Sequence, residues 1–299
     1  MRVAAADLGT NSTRLLIAEV EEGRVWPVER RVVVTGLGAG VDSAGRLAEE
    51  GMARTLEVLA DYRAAARAAG ADRLRAVATS AVRDAYNRVA FLERAGEALG
   101  VRPEVIGGEE EAALSFAGAT AGVAGSAPYL VIDVGGGSTE FVFGRDAPTW
   151  LHSIDFGSRR ATERFLTRHP AGAEAVAAAR RAAGEAFAGL ESPGNPQTVI
   201  GTGGTYTALA AIALGLEAYD SERVHGSVLS RSALDGLVGR LAGLSLAETA
   251  ALPSLDPARA PVLLGGAVVG AEVLRRWGLD RLTVSEADLL DGIALLLGA

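Results

Sequence analysis

The 299-residue chain contains neither cysteine nor lysine. Without cysteine it forms no disulfide and no thiolate metal site. Without lysine every cationic side chain is an arginine, so a P-loop lysine, a Schiff-base lysine and a kinase strand lysine are all excluded, and no G-x-x-x-x-G-K-[ST] motif occurs. Aromatic residues make up 5% of the chain against 49% hydrophobic residues, which points to layers built of Ala, Leu and Val. No stretch reaches the roughly 18 uncharged apolar residues of a membrane-spanning helix. A single Arg precedes the first short strand, too little flank for a signal peptide, so a cytoplasmic enzyme is expected. The net charge of −8 argues against general nucleic-acid binding. It leaves polyanionic substrates open, because a divalent cation and a few arginines reverse the sign of a cleft locally.

What the chain does have is one phrase used twice: Asp7-Leu8-Gly9-Thr10-Asn11-Ser12-Thr13 and Asp133-Val134-Gly135-Gly136-Gly137-Ser138-Thr139. Each copy lies between short apolar runs, Val3 to Ala6 and Leu15 to Ala18, then Tyr129 to Ile132 and Phe141 to Phe143, and so reads as a β-hairpin with a Gly-rich turn. Glycines let backbone N–H groups converge on an anion, hydroxyls add donors, and an Asp at a strand end can orient a hydrated cation. The same side chains at the same spacing have no purely structural reason to recur. Two phosphate sites facing across a cleft are expected, in two related α/β halves.

Between and after the hairpins the pattern is strand and helix in turn. Val32 to Val34 reads as a strand, and Gly36-Leu37-Gly38-Ala39-Gly40 as a plain loop, since the helix a dinucleotide fingerprint requires does not follow. A helix through Leu47, Met52, Leu56 and Leu59, a strand at Leu74 to Ala78, a helix at Arg88 to Leu99, a strand at Glu104 to Ile106 and a helix from Glu109 to about Ala119 complete the first half. The stretch Gly122 to Pro128 is the expected boundary, giving a first lobe over 1–121 and a second over 122–285, with a C-terminal helix, 286–299, joining the first lobe. In the second half Ala173 to Leu190 and Pro261 to Trp277 read as helices, Thr198 to Ile200 and Leu282 to Val284 as strands, and Ser285 as the cap of the last helix. Gly201-Thr202-Gly203-Gly204-Thr205 turns from strand into helix and makes a third anion-binding candidate.

Two further features bear chemistry. One carboxylate of Glu109-Glu110-Glu111 could face the cleft and take a proton from an attacking water, but neighbouring helical positions lie about 100° apart and spacing alone does not choose among them. Thr79, Ser80 and Arg83 follow a strand, and the planar fork of Arg83 suits phosphate oxygens. His152, His169 and His225 have no spacing suited to a metal.

These residues in order resemble the exopolyphosphatase/guanosine pentaphosphate phosphohydrolase family of the actin-like superfamily, in its short form without a C-terminal His-Asp helical domain. The resemblance rests on Asp7 to Ser12, Ala78 to Asn87, Gly108 to Ala112, Ile132 to Glu140 and Gly203 to Thr205. It implies two actin-like, ribonuclease H-like lobes with the active site between them. It also implies Glu111, before the Ala of the Glu-Glu-Ala phrase, as catalytic base, with Arg83 as substrate arginine and Glu140 beside the attacking water. Gly9, Thr10, Asn11, Ser12, Gly135, Gly136, Gly137, Ser138, Gly203 and Gly204 would then bind phosphate, and Asp7, Asp133 and Glu140 would surround Mg²⁺ or another divalent cation. The implied reaction is hydrolysis of the terminal phosphate of polyphosphate, or of guanosine pentaphosphate, by a homodimer that binds neither nucleic acid nor membrane. An actin-like nucleotide sensor without hydrolysis and a sugar kinase are the alternatives. Thr10 stands where many members have Ser, and Gly36 where members often carry a basic residue before Leu37-Gly38.

Overall fold

The computed structural model describes residues 1–299. It divides into two compact units, Met1–Ala121 with Asp288–Ala299, and Gly122–Ala287.

Unit 1 begins with a meander of β1 (Arg2–Leu8), β2 (Thr13–Glu21) and β3 (Arg24–Val33), followed by α1 (Val41–Ala44), α2 (Glu49–Ala68), β4 (Arg73–Ala78), α3 (Ser80–Asp84), α4 (Arg88–Leu99), the short β5 (Glu104–Val105) and α5 (Gly108–Gly122). The sheet order is β3-β2-β1-β4-β5, with the meander antiparallel and β1, β4 and β5 parallel. The runs Ala4-Ala5-Ala6 and Leu15-Leu16-Ile17-Ala18 are buried throughout, as strands covered on both faces require. One face of β1 and β2 joins a core with Leu59, Tyr62, Phe91 and Leu92 of the helices.

Unit 2 holds β6 (Tyr129–Val134), β7 (Thr139–Gly144), β8 (Pro148–Ile154), α6 (Ser158–Phe165), α7 (Ala173–Phe187), β9 (Thr198–Thr202), α8 (Gly203–Ala213), α9 (Ser221–Val224), β10 (Val228–Ser230), α10 (Arg231–Ala242), α11 (Leu246–Ala250), α12 (Ala260–Arg276) and β11 (Arg281–Val284). Its sheet runs β10-β11-β9-β6-β7-β8. Setting the extra edge strand β10 aside, β8-β7-β6-β9-β11 repeats the order and the strand directions of β3-β2-β1-β4-β5. This doubled order is the ribonuclease H-like arrangement of actin-like lobes. The segment Pro257–Arg276 has the length and composition of a membrane span, yet most of it is buried in the protein interior, where Leu263, Val268 and Leu274 belong to the core of unit 2.

The chain re-enters unit 1 as α13 (Leu289–Gly298). Leu289, Leu290, Ile293 and Ala294 pack on the second face of the β1 and β2 sheet, with Val3, Ala5, Leu16, Ala18 and Leu114. The cap of this helix is Asp288, not Ser285. Asp288 Oδ1 accepts the Leu290 N–H and Asp291 returns a bond to the Asp288 N–H, a capping box, while Ser285 Oγ donates to the Ala287 carbonyl. Asp288 directly precedes the first helical residue and reaches the amides of the first turn, whereas Ser285 lies four residues before that helix.

Candidate functional site

The two hairpins close their turns in the same way. Gly9 N donates to Ser12 O at 3.1 Å and Gly135 N to Ser138 O at 3.0 Å, each between the residues two and five places after its aspartate. Side-chain placement repeats as well, since Asp7 lies opposite Arg14 across β1 and β2, and Asp133 opposite Glu140 across β6 and β7. In both halves another segment occupies the carbonyl side of the turn. Gly36 and Gly38 donate to the Asn11 and Thr10 carbonyls at 3.0 and 2.8 Å, and Ser158 and Arg159 donate to those of Gly135 and Gly136 at 2.9 and 2.8 Å. An anion approaching such a turn meets amides rather than lone pairs.

The glycine run read as a plain loop is a loop, and it fixes the first hairpin turn. Gly38 passes so close that a Cβ there would meet Ala81 Cβ at 2.9 Å, besides Thr10. Thr10 in turn accepts the Ala81 N–H on its hydroxyl at 3.2 Å, which ties the first turn to the Thr79 to Arg83 segment. Thr79 itself occupies the N-cap position of α3 without a side-chain cap bond.

The three consecutive glutamates separate by their partners. Glu110 pairs with Arg75 at 2.9 Å, beside the Arg75–Glu104 pair, and half of its side chain is exposed; Glu111 lies 3.6 Å from Arg83, with only 12% of its side chain exposed. Arg83 also donates to the Ile106 carbonyl at 3.2 Å. Glu111 and Arg83 are thus brought together within unit 1, at the first turn of α5 and the end of α3.

In unit 2 the third candidate turn joins the second. Thr205 Oγ1 donates to the Val134 carbonyl at 2.8 Å. Gly203, at φ +82°, sits against Asp133 Oδ1 where any side chain would collide with the carboxylate. Glycine is required there on both counts, by the left-handed φ and by the close approach. Glu140, almost fully buried, accepts from Ser153 Oγ at 2.7 Å. Sequence reasoning did not single out Arg259, whose Nη1 donates to the Gly204 carbonyl at 3.2 Å, or Arg159 behind the second turn. The Asp256-Pro257 helix-start signal before Arg259 and the Gly157-Ser158 pair before Arg159 were their only marks in the sequence.

Asp7 and its counterpart Asp133 have diverged. Arg14 grips Asp7 Oδ2 through Nε at 2.9 Å and Nη2 at 2.7 Å, and its Nη1 bonds Asp288. Asp7 Oδ1 is buried without a hydrogen-bond partner in the protein. Burial pushes the Asp7 carboxyl above the ordinary carboxylate range, and the charge of Asp288 adds to the rise, against the opposing pull of Arg14. No group of three His, Asp or Glu side chains is gathered into a metal-sized cluster. The residues nevertheless fit Mg²⁺, which keeps most of its waters and takes one or two carboxylates with phosphate oxygens completing its shell. Asp133 and Glu140, two facing carboxylates of unit 2, form such a set.

Comparison with known proteins places the chain in a family. The Ppx/GppA phosphatase family model matches residues 16–297. Exopolyphosphatase 2 of Mycobacterium tuberculosis is 43% identical over 317 aligned positions that span 99% of this chain and 98% of that protein. Among solved structures, an exopolyphosphatase-like protein superposes with a TM-score of 0.93 at 40% identity over 99% of this chain and 97% of its own. The Aquifex aeolicus Ppx/GppA family member superposes with a TM-score of 0.84 at 31% identity, again over 99% and 97%. The chain belongs to the Ppx/GppA phosphatase family.

Proposed function

We propose that the protein is an exopolyphosphatase that releases orthophosphate from the end of inorganic polyphosphate. The observation that carries this reading is the pairing of Arg83 with a secluded Glu111 at the start of α5, in the unit that also presents the first phosphate turn. The naming of the similar M. tuberculosis protein as an exopolyphosphatase supports the same substrate.

Phosphoryl transfer to water needs positioning and charge neutralisation more than covalent chemistry. In this reading the amides of the turns at Gly9 to Ser12, Gly135 to Ser138 and Gly203-Gly204 bind the equatorial oxygens of the phosphates. Arg83 steadies the terminal phosphoryl group while Glu111 orients a water and accepts its proton. The P–O bridge to the rest of the chain breaks as the new P–O bond forms, and the shortened polyphosphate leaves carrying the bridging oxygen. Asp133 and Glu140 would hold a divalent cation, which when bound supplies charge to the phosphate oxygens. A homodimer and a cytoplasmic location belong to the same proposal, and sedimentation equilibrium tests the first.

The deciding assay measures phosphate release with Mg²⁺ from short polyphosphate, long polyphosphate, guanosine pentaphosphate and ATP, by wild type and by Glu111→Gln. Polyphosphate turnover is expected, reduced about 10²- to 10⁴-fold in the mutant with its thermal unfolding unchanged. Near-normal turnover in Glu111→Gln removes the base assignment. Release from guanosine pentaphosphate alone moves the enzyme to that substrate, and tight ATP binding with no release from any of the four makes it a sensor.

A further inference from the structure

The Asp7 carboxylate is oriented from a distance. Its Oδ2 is gripped by two nitrogens of Arg14, and the third nitrogen of the same guanidinium bonds Asp288, the residue at which the chain re-enters unit 1. A planar fork held on both sides has one orientation available to it, and so has the carboxylate it grips. All three side chains are secluded, with 3% of Asp7, 17% of Arg14 and 9% of Asp288 exposed. Asp288 is itself immobilised. Its Oδ1 caps α13, its N–H is bonded by Asp291, and its carbonyl is wedged against Gly118 of α5, the helix that carries Glu111. What emerges from this chain of contacts is a buried Asp7 Oδ1 left without a protein partner. A polar atom buried in this way is retained when something outside the chain meets it.

We propose that Asp288 is a positioning residue for the phosphate site of unit 1, acting through Arg14 to aim Asp7 Oδ1, and that α13 braces Asp7 and the Glu111 helix together. The proposal rests on the phosphatase reading above for its kinetic consequence. The alternative role for Asp288 is a helix cap and nothing more, and Asp288→Asn separates the two because asparagine caps a helix as well as aspartate does.

The test compares Asp288→Asn, Asp291→Asn, Arg14→Gln and the double variant Arg14→Gln/Asp288→Asn. Asp288→Asn is expected to lower kcat about 10- to 100-fold with KM within about twofold, because a small misplacement of a reacting group acts on the transition state. Its melting temperature stays near that of wild type. Asp291→Asn, which keeps an amide oxygen able to accept the Asp288 N–H and does not touch Arg14, is expected to keep kcat. In the Arg14→Gln background the Asp288 substitution adds nothing further to the loss of kcat. A kcat within twofold of wild type for Asp288→Asn, or losses that multiply in the double variant, overturns the proposal. A readout free of turnover keeps it separate from the functional reading. Exchange of the Arg14 Nε–H with solvent, followed by NMR, should be at least about tenfold faster in Asp288→Asn and unchanged in Asp291→Asn. If the wild type hydrolyses nothing, the functional reading falls while this exchange experiment still decides whether Asp288 holds Arg14, and unchanged exchange overturns the proposal.

Discussion

Two aspartates that open the same phrase meet opposite charges seven residues later, Arg14 in one hairpin and Glu140 in the other. Arg14 compensates the charge of Asp7 through Oδ2 while leaving Oδ1 without a protein partner, whereas carboxylates facing each other across a ladder repel unless a cation or a proton intervenes. The cation proposed above is therefore expected at the second hairpin, where two carboxylates face each other. Glu140→Gln should raise the Mg²⁺ concentration for half-maximal turnover about tenfold or more, and an unchanged Mg²⁺ titration would remove Glu140 from the metal. A second carboxyl answers to pH rather than to metal. Burial pushes Asp291 upward from 3.8 despite Arg30 at 2.5 Å, with the neighbouring charge of Asp288 adding to the rise. Because the folded value exceeds the unfolded one, the stability this group contributes is complete below its unfolded pKa and is lost as pH rises through the folded value. The stability gap between wild type and Asp291→Asn should accordingly be widest near pH 4 and narrow toward pH 7 in urea titrations. A gap that widens with pH would show the carboxylate to be stabilised in its charged form.

Elements differ in how plainly the sequence announces them, and burial explains the difference. The strands at 2–8, 13–21, 129–134 and 139–144 are apolar runs ended by glycine turns, because both faces of their sheets are covered. The strand over 24–33 is visible in the sequence only at Val32 and Val33, since it is an edge strand carrying Arg24, Glu29, Arg30 and Arg31, and Pro148–Ile154, the edge of the other sheet, shows no strand pattern because it opens on a proline and mixes polar with half-buried apolar residues. At the site, the hairpin aspartates and the Glu111 and Arg83 segments are legible as motifs. The difference in partners between Glu110 and Glu111 is not, because it depends on Arg75, a residue more than thirty positions away that spacing cannot place. Nor is the close crossing of the two helices at 108–122 and 289–298. There a Cβ on Gly118 would come within 2.9 Å of the Asp288 carbonyl carbon and one on Gly292 within 2.8 Å of that of Leu114. Backbone cannot yield as a flexible side chain does, so Gly292→Ala is expected to cost about 1–3 kcal/mol of unfolding free energy despite alanine's better helix propensity. Urea denaturation measures it, and a stabilised variant would mean that the helices slide apart without loss.

At the scale of the molecule, unit 1 is discontinuous, since its last twelve residues arrive only after all of unit 2 has been made. Leu289, Leu290 and Ile293 are buried, and the strands beneath them present Val3, Ala5, Leu16 and Ala18 on that face. Burying three such side chains contributes about 1.5–3 kcal/mol each. The sum is comparable to the 5–15 kcal/mol that separates a typical folded domain from its unfolded chain. Residues 1–121 alone would therefore expose a broad apolar sheet face and lack the Asp288 partner of Arg14. That fragment is expected to aggregate or to bind a hydrophobic dye strongly, and the same fragment joined by a flexible linker to residues 288–299 is expected to fold with a cooperative thermal transition. Cooperative unfolding of 1–121 without the added helix would show that α13 is dispensable to the unit. In that case Asp288 could act on Arg14 only as a local contact, and the brace between Asp7 and the Glu111 helix would have to be sought within 1–121.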